Sequence, residues 1–333
     1  MRALIIAGGA GSRLRPLTDT VPKPLVEFMG EPFAFGQMRR LAAAGVRQVS
    51  FLVGPYREEF SILVALGREL GVAVDFEDEE TPLGTAGAAR RALRRHTGGP
   101  VLVCNGDILT DLDYAGVVAA HRQAQAAATL ALTRVEDPSA YGVVICDADG
   151  RVTQFIEKPA PGTVTATTVN AGTYVLEPTV FDEFRGDGPL SFERQVFPGL
   201  LDTGAPMHGV VSDAHWADLG TPERYLAGHL AVLDGACAWP MAAGLDERAP
   251  EVWVAADAQV SPSAVLASGV VIGAGAEVGA GARVARSAVH AGARIGAQSQ
   301  VSDTIVGPDA VVSSDAQLRD EVVVSGPPTV NPQ

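Results

Sequence analysis

Only three of the 333 residues are cysteine, Cys104, Cys146 and Cys237, and no two of them form a Cys-x-x-Cys pair. That excludes a disulfide framework and a thiolate metal knuckle, and it fits a reducing cytoplasm with the thiols acting as small apolar fillers. Long apolar runs are also lacking. Nothing approaches the roughly 20 continuous residues that a bilayer span requires, and the apolar run behind Met1 and Arg2 is cut by Gly8 and Gly9 before it reaches signal-peptide length. The expectation is a cytoplasmic protein with no membrane partner. Positive charge is scarce too, with 25 Lys and Arg against 39 Asp and Glu and a net charge of −14. A nucleic-acid backbone is bound through neutralising cations, so nucleic acid is not expected as a partner. A phosphorylated small molecule needs only a few local cations, or a divalent metal that cancels charge on both sides.

What is present is a 47% hydrophobic chain, enough for a sizeable core. From residue 1 to about 235, short aliphatic runs (3–7, 49–53, 72–76, 101–104, 129–133) alternate with helix-like stretches at 58–70 and 117–128. That grammar predicts an α/β, Rossmann-like domain with a mostly parallel sheet, which places ligands at the carboxyl ends of its strands. Beyond residue 250 an aliphatic residue recurs at every sixth position: Val254, Val260, Leu266, Ile272, Val278, Val284. After a one-residue slip come Val289, Ile295 and Val301, and after another Val306, Val312, Leu318 and Val324. Six matches neither a helix nor an alternating strand, but it matches a left-handed hexapeptide β-helix. The expected organisation is a catalytic domain at 1–235, a Pro- and Gly-containing linker at 236–250, a β-helix at 251–326 and a loose tail at 327–333.

The stretch most informative about chemistry follows the first predicted strand: Gly8-Gly9-Ala10-Gly11-Ser12-Arg13-Leu14-Arg15-Pro16-Leu17-Thr18, with Pro22-Lys23-Pro24-Leu25 downstream. Glycines let backbone N–H groups approach a polyphosphate, and Arg13 and Lys23 supply charge. The order differs from the dinucleotide-binding fingerprint, and no acidic residue stands where a ribose partner would.

This signature resembles that of the sugar-1-phosphate nucleotidyltransferases, or NDP-sugar pyrophosphorylases. Further segments resemble the same family in the same order: Pro82-Leu83-Gly84-Thr85-Ala86-Gly87, Asn105-Gly106-Asp107, Tyr141-Gly142-Val143-Val144, Glu157-Lys158-Pro159, Asn170-Ala171-Gly172-Thr173-Tyr174 and Trp216-Ala217-Asp218-Leu219-Gly220-Thr221-Pro222. The resemblance covers about 230 residues, and the hexapeptide tail is similar to the extension that many members carry. It implies a nucleotide site at Gly8, Gly9, Gly11, Ser12, Arg13, Gly84, Thr85 and Gly87. It implies sugar-phosphate contacts from Lys23, Gly142, Glu157, Lys158, Asn170 and Gly172, catalytic roles for Arg13, Lys23 and Asp107, and Mg²⁺ held by Asp107 and Asp218. The implied substrates are a nucleoside triphosphate and a sugar 1-phosphate.

Chemistry supports these roles, because nucleotidyl transfer asks a protein mainly to position reactants and neutralise charge. Mg²⁺ suits one or two carboxylates plus phosphate oxygens. The bland alternatives are that Asp107 belongs to an Asn-Gly-Asp turn and that Asp218 caps a helix starting near Pro222. Pro-Leu-Gly-Thr-Ala-Gly is closer to the guanylyltransferase branch, so GTP is favoured. The acceptor stays open among mannose, glucose and heptose 1-phosphates and a cyclitol phosphate. A glucose-1-phosphate thymidylyl- or uridylyltransferase, and a non-catalytic nucleotide-sugar sensor, remain as alternatives. A β-helix acyltransferase with His290 as base is a third. The β-helix is expected to join subunits into a homo-oligomer.

Overall fold

The computed structural model describes residues 1–79, 81–94, 96 and 98–325. The expected tail at 327–333 and the last β-helix residue, 326, lie outside the described residues. Chain contacts divide the protein into two compact units, 1–9 with 37–216, and 10–36 with 217–333. These limits differ from those read off composition, and the reason lies in packing described below for the second unit. Among the described residues no helix is long and apolar enough to cross a membrane.

The first unit is built on a nine-stranded sheet. Its strand Arg2–Ile6 lies between Gln48–Gly54 and Val101–Asn105 and is parallel to both, and Ala73–Asp78 extends the parallel half. The other half turns antiparallel around Thr168–Leu176, which pairs Val101–Asn105, Ala128–Arg134 and Gly142–Cys146. Val152–Glu157 pairs Gly142–Cys146 antiparallel, and Met207–Val211 pairs Ala128–Arg134 in parallel. The parallel strands were legible as aliphatic runs buried on both faces. Of the antiparallel ones, Gly142–Cys146, Val152–Glu157 and Thr168–Leu176 carry the family motifs and read in sequence only as motifs. The predicted helices form as Arg57–Phe60 and Leu63–Leu70, and as Tyr114–Ala124, whose first turn is capped by Asp113 accepting from the Gly116 amide at 3.0 Å. Leu4, Val101, Val103, Leu130, Leu132, Tyr174, Phe192 and Phe197 are buried in one hydrophobic cluster.

The second unit contains the β-helix, whose strands stack in parallel into three sheets. Register follows the six-residue period: Val254, Ile272, Val289 and Val306 align down one sheet, Val260, Val278, Ile295 and Val312 down the next, and Leu266, Val284, Val301 and Leu318 down the third. Each side buries its aliphatics in a common core. One position departs from expectation, since Val306 pairs with Val323 and not with Val324. The shortened corner explains it. Arg286, Asp303 and Asp320 hold left-handed φ of 47°, 49° and 55° at equivalent corners, so the one-residue slip seen twice in the sequence occurs a third time.

The 236–250 stretch is packed structure. Leu245–Ala249 pairs Val252–Ala255, and Trp239 stacks on Phe33 with ring centroids 5.0 Å apart. Phe28 sits edge-on to Phe33, Tyr225 and Trp239. Burying these rings gathers 10–36, the helix Pro222–Leu233 and the 236–250 stretch into one unit with the β-helix. Aromatics so widely spaced in sequence show no period, which is why the stretch reads as a linker.

Candidate active site

In the second unit the signature loop is folded on itself. Gly11 has φ +61°, and a Cβ there would lie 3.1 Å from both Lys23 Cβ and Thr18 Cγ2. The Thr18 hydroxyl donates to Gly11 O at 2.9 Å and closes the loop. Glycine is required for this approach, and Lys23 is held by it.

Lys23 Nζ stands 3.6 Å from Asp218 Oδ1, and Arg13 Nη2 is 3.9 Å from Asp218 Oδ2. Arg224 Nη1 donates to Asp218 Oδ2 at 3.3 Å. Gly220 leaves the space for this convergence, since a Cβ there would meet Asp218 Oδ1 at 2.8 Å and Arg13 Nη2 at 3.1 Å. Asp218 is not the helix cap: Thr221 accepts from the Arg224 amide at 3.4 Å and caps Pro222–Leu233. Asp218 Oδ1 is instead buried without a hydrogen-bond partner. A buried anionic oxygen lacking a donor suits a cation. Among the described residues no group of three or more metal-ligating side chains forms. Arg224 carried no motif; its place two residues after Pro222 on a helix behind Asp218 was the available signal.

In the first unit Asp107 lies in the turn between Val101–Asn105 and Ile108–Thr110, so the turn reading of Asn-Gly-Asp is correct as local structure and puts a half-buried carboxylate at the carboxyl end of a parallel strand. The Gly106 amide donates to Ile6 O at 2.9 Å, and Gln37 Nε2 donates to Asn105 O at 2.9 Å, fixing that turn. Gly8 approaches Gly54 so closely that a Cβ would sit 3.0 Å from its nitrogen, while Gly9 is open. Ser12 begins the short helical turn Ser12–Leu14 of the second unit.

The sugar-side motifs meet on the antiparallel half of the sheet. Glu157 pairs in register with Gly142, and a Cβ at Gly142 would lie 3.1 Å from Glu157 Oε2. Lys158 Nζ is 3.9 Å from Glu157 Oε1, and Lys158 N donates to Tyr141 O. Asn170 donates from Nδ2 to the Tyr174 hydroxyl at 2.8 Å and accepts from the Gly172 amide at 3.0 Å. Trp216 lies edge-on to Tyr141 and donates to Ala171 O at 2.9 Å, tying three motifs together. Burial, and then the negative charge of Glu193, push the Glu157 carboxyl above the usual range, opposed by Lys158 and Arg194.

Thr85 and Gly87 behave differently from the other motif residues. The Thr85 hydroxyl donates to Glu193 Oε2 at 2.9 Å and accepts from the Phe192 amide at 3.1 Å, while the Ala86 and Gly87 amides donate to Leu190 O. Gly84, at φ +72°, lets Leu190 O approach. The helix Gly84–Leu93 thus begins against the 190–193 segment. His215 places its ring Nε2 in a buried position without a hydrogen-bond partner, and its amide donates to Asp111. His290 is 2% exposed and lies against Tyr225 and His229, so it does not present a base to a solvent-accessible cleft. Cys104 and Cys237 are buried, and Cys146 is half-buried.

The family model described as nucleotidyl transferase matches residues 2–235, and that described as GMPPB C-terminal domain matches 248–333. The chain belongs to the nucleotidyl transferase family. It is 38% identical over 234 residues to a mannose-1-phosphate guanyltransferase of Schizosaccharomyces pombe, a match covering 68% of this chain and 63% of that one. A mannose-1-phosphate guanylyltransferase of Mycobacterium tuberculosis is 36% identical over 269 residues, covering 79% of this chain and 72% of the relative. Among solved structures, HddC from Yersinia pseudotuberculosis, solved also in complex with GMP-PN, is 28% identical with a TM-score of 0.58, covering 68% of this chain and 97% of HddC.

Proposed function

We propose that this member of the family transfers GMP from GTP to a sugar 1-phosphate, with mannose 1-phosphate first among the acceptors. The observation that carries the reading is the convergence of the two signature cations, Arg13 and Lys23, with Arg224 on a half-buried Asp218. The names of the relatives support the base and the sugar. An oxygen of the sugar phosphate attacks the α-phosphorus of GTP, the bond from that phosphorus to the bridging oxygen breaks, and pyrophosphate leaves with the bonding pair. Arg13 serves the triphosphate. Lys23 and Lys158 serve the reacting phosphates, Lys158 chiefly that of the sugar, because point-charge lysines suit groups that shift during reaction. Gly8, Gly9, Gly11 and Ser12 offer backbone and hydroxyl donors to the nucleotide, while Gly84, Thr85 and Gly87 shape its purine side, the Thr85 hydroxyl and the Gly87 amide being taken by Glu193 and Leu190. Glu157, Asn170, Gly142 and Gly172 take the sugar. Asp107 and Asp218 are the proposed Mg²⁺ ligands, and the ion would supply charge neutralisation at the phosphates.

Pyrophosphate release in Mg²⁺ is the test, crossing GTP, dTTP, UTP, ATP and CTP against mannose, glucose and heptose 1-phosphates and a cyclitol phosphate. Release that needs both GTP and mannose 1-phosphate is the expected result. Preference for dTTP or UTP with glucose 1-phosphate overturns the base and sugar, and nucleotide binding without release from any pair makes the protein a sensor. The proposed homo-oligomer rests on the outer β-helix faces, where Val265 is 47% and Val311 63% exposed. Lysine at both positions should lower the particle mass in light scattering.

A further inference from the structure

The sugar-side cluster contains a carboxylate that no motif flagged. Glu193 lies in the helical segment Phe192–Val196, and its Oε2 accepts two hydrogen bonds, from Thr85 Oγ1 at 2.9 Å and from Ser191 Oγ at 2.6 Å. Its Oε1 takes no hydrogen bond from any described residue, and no Lys or Arg among them forms an ion pair with it. The side chain is half-buried, and its charge is felt by Glu157 and by the buried Tyr174 hydroxyl that Asn170 contacts.

A second carboxylate near Glu157 is repulsive in a half-buried setting. Two hydroxyl donors on one oxygen fix Glu193 in place, yet they leave the other oxygen with full acceptor capacity and no cation to neutralise it. A neutral polyol satisfies that arrangement, since ring hydroxyls donate to carboxylates without adding charge. The anchoring also accounts for the Thr85 hydroxyl, which is committed to Glu193 and Phe192.

We propose that Glu193 is a specificity-determining residue of the acceptor site, with Oε2 anchored by Thr85 and Ser191 and Oε1 accepting a sugar ring hydroxyl beside Glu157. This rests on the nucleotidyl-transfer reading. The acceptor it selects is a polyol phosphate with hydroxyls for both carboxylates, and an analogue lacking the hydroxyl that faces Glu193 is disfavoured because a half-buried charge loses its partner.

The test compares wild type with Glu193→Gln, whose amide oxygen can still accept from Thr85 and Ser191 while an NH₂ replaces Oε1. KM for the sugar 1-phosphate should rise about 10–100-fold, with KM for the triphosphate staying within about twofold. Across a series of monodeoxy sugar 1-phosphates, one deletion should be costly in wild type and nearly neutral in the variant. The acid limb of kcat/KM should also move to lower pH, because a negative charge beside Glu157 is gone. Glu193→Asp keeps the charge but shortens the reach, and it should show the same sugar-selective loss if the glutamine variant folds poorly. An unchanged sugar KM, or an equal rise in both KM values, overturns the inference. If wild type turns over and Glu157→Gln raises sugar KM while neither Glu193 variant does, the inference alone fails. If wild type transfers to no sugar phosphate, the underlying reading fails with it.

Discussion

The two compact units differ in the charge of their candidate site residues. The first collects carboxylate and amide groups, Glu157, Asn170 and Glu193, on or beside antiparallel strands of a large sheet. The second collects cations, Arg13, Lys23 and Arg224, around Asp218 on a closed loop and a helix start. Hydroxyl recognition asks for acceptors at fixed spacing, which strands supply, whereas phosphate recognition asks for local positive charge and backbone that can turn sharply. An acidic chain therefore needs few cations, three of them gathered around Asp218 and Lys158 standing beside Glu157 in the first unit. The units also differ in how their segments are joined: the first packs aliphatics and the Tyr174, Phe192 and Phe197 rings into one cluster, whereas the second adds to the aliphatic core of its β-helix a ring cluster that joins segments far apart in sequence.

The sharpest way to break that contrast is Trp239→Ala. Trp239 is 8% exposed, stacks on Phe33 and meets Phe28 edge-on, and its indole nitrogen has no hydrogen-bond partner to lose. Removing a buried ring costs about 3–5 kcal/mol. Denaturant unfolding followed by hydrogen exchange should show lost protection in 10–36 and in the helix Pro222–Leu233, with the strands Arg2–Ile6 and Val101–Asn105 little changed. Equal loss in both units would show that the clusters do not act separately.

Asp218→Asn tests the charge division directly. The amide keeps the shape but removes the anion that three cations face, and it cannot serve as a carboxylate metal ligand. Turnover should fall about 10²–10³-fold, or about 3–4 kcal/mol of barrier, and Asp107→Asn should fall comparably in the same assay. Near-normal Mg²⁺-dependent pyrophosphate release by either variant removes that residue from the proposed ligands.

The β-helix was legible almost residue by residue because its period is local: each aliphatic sits six positions on, and stacking places it over its equivalent in the previous coil. Only Val324 slipped, where a left-handed Asp320 shortens a corner that glycine forms in the first coil. The parallel strands were legible as apolar runs for a similar reason. Trp239, Arg224 and Glu193 were not, because their meaning depends on partners 206, 6 and 108 positions away, Phe33, Asp218 and Thr85. Family motifs brought out Glu157, Asn170 and Asp218, but the groups that anchor and charge-balance them lie between motifs and acquire a role only in three dimensions.

A smaller effect is expected at Gly11. Alanine there must hold φ near +61° and press on Lys23 and Thr18. The left-handed backbone costs about 1–2 kcal/mol, and the variant should lower kcat/KM by displacing Lys23 while leaving the sheet of the first unit intact by circular dichroism. Activity equal to wild type would mean that the loop closes without the glycine.

The smallest effect concerns pH. His229 and His290 are each 2% exposed, and all four ring nitrogens lack hydrogen-bond partners. The groups around them are Phe28, the Tyr225 ring and Glu27, whose Oε2 accepts from the Ala291 amide at 2.9 Å and whose backbone carbonyl accepts from the Tyr225 hydroxyl. Burial, and then the neighbouring His290, hold His229 well below the ordinary histidine range; burial lowers His290 too, with Glu27 opposing. The unfolded chain therefore binds more protons than the folded one just below the ordinary histidine pKa of about 6.5. The stability of the second unit should be fully present above that pH and decline as pH falls through it toward the lowered folded values. His229→Phe, placing a ring among rings, should flatten that decline in midpoint-denaturant measurements from pH 7.5 to 5.5. An unchanged slope would show that the buried histidines do not set the acid sensitivity of the unit, and that other groups titrate on unfolding there.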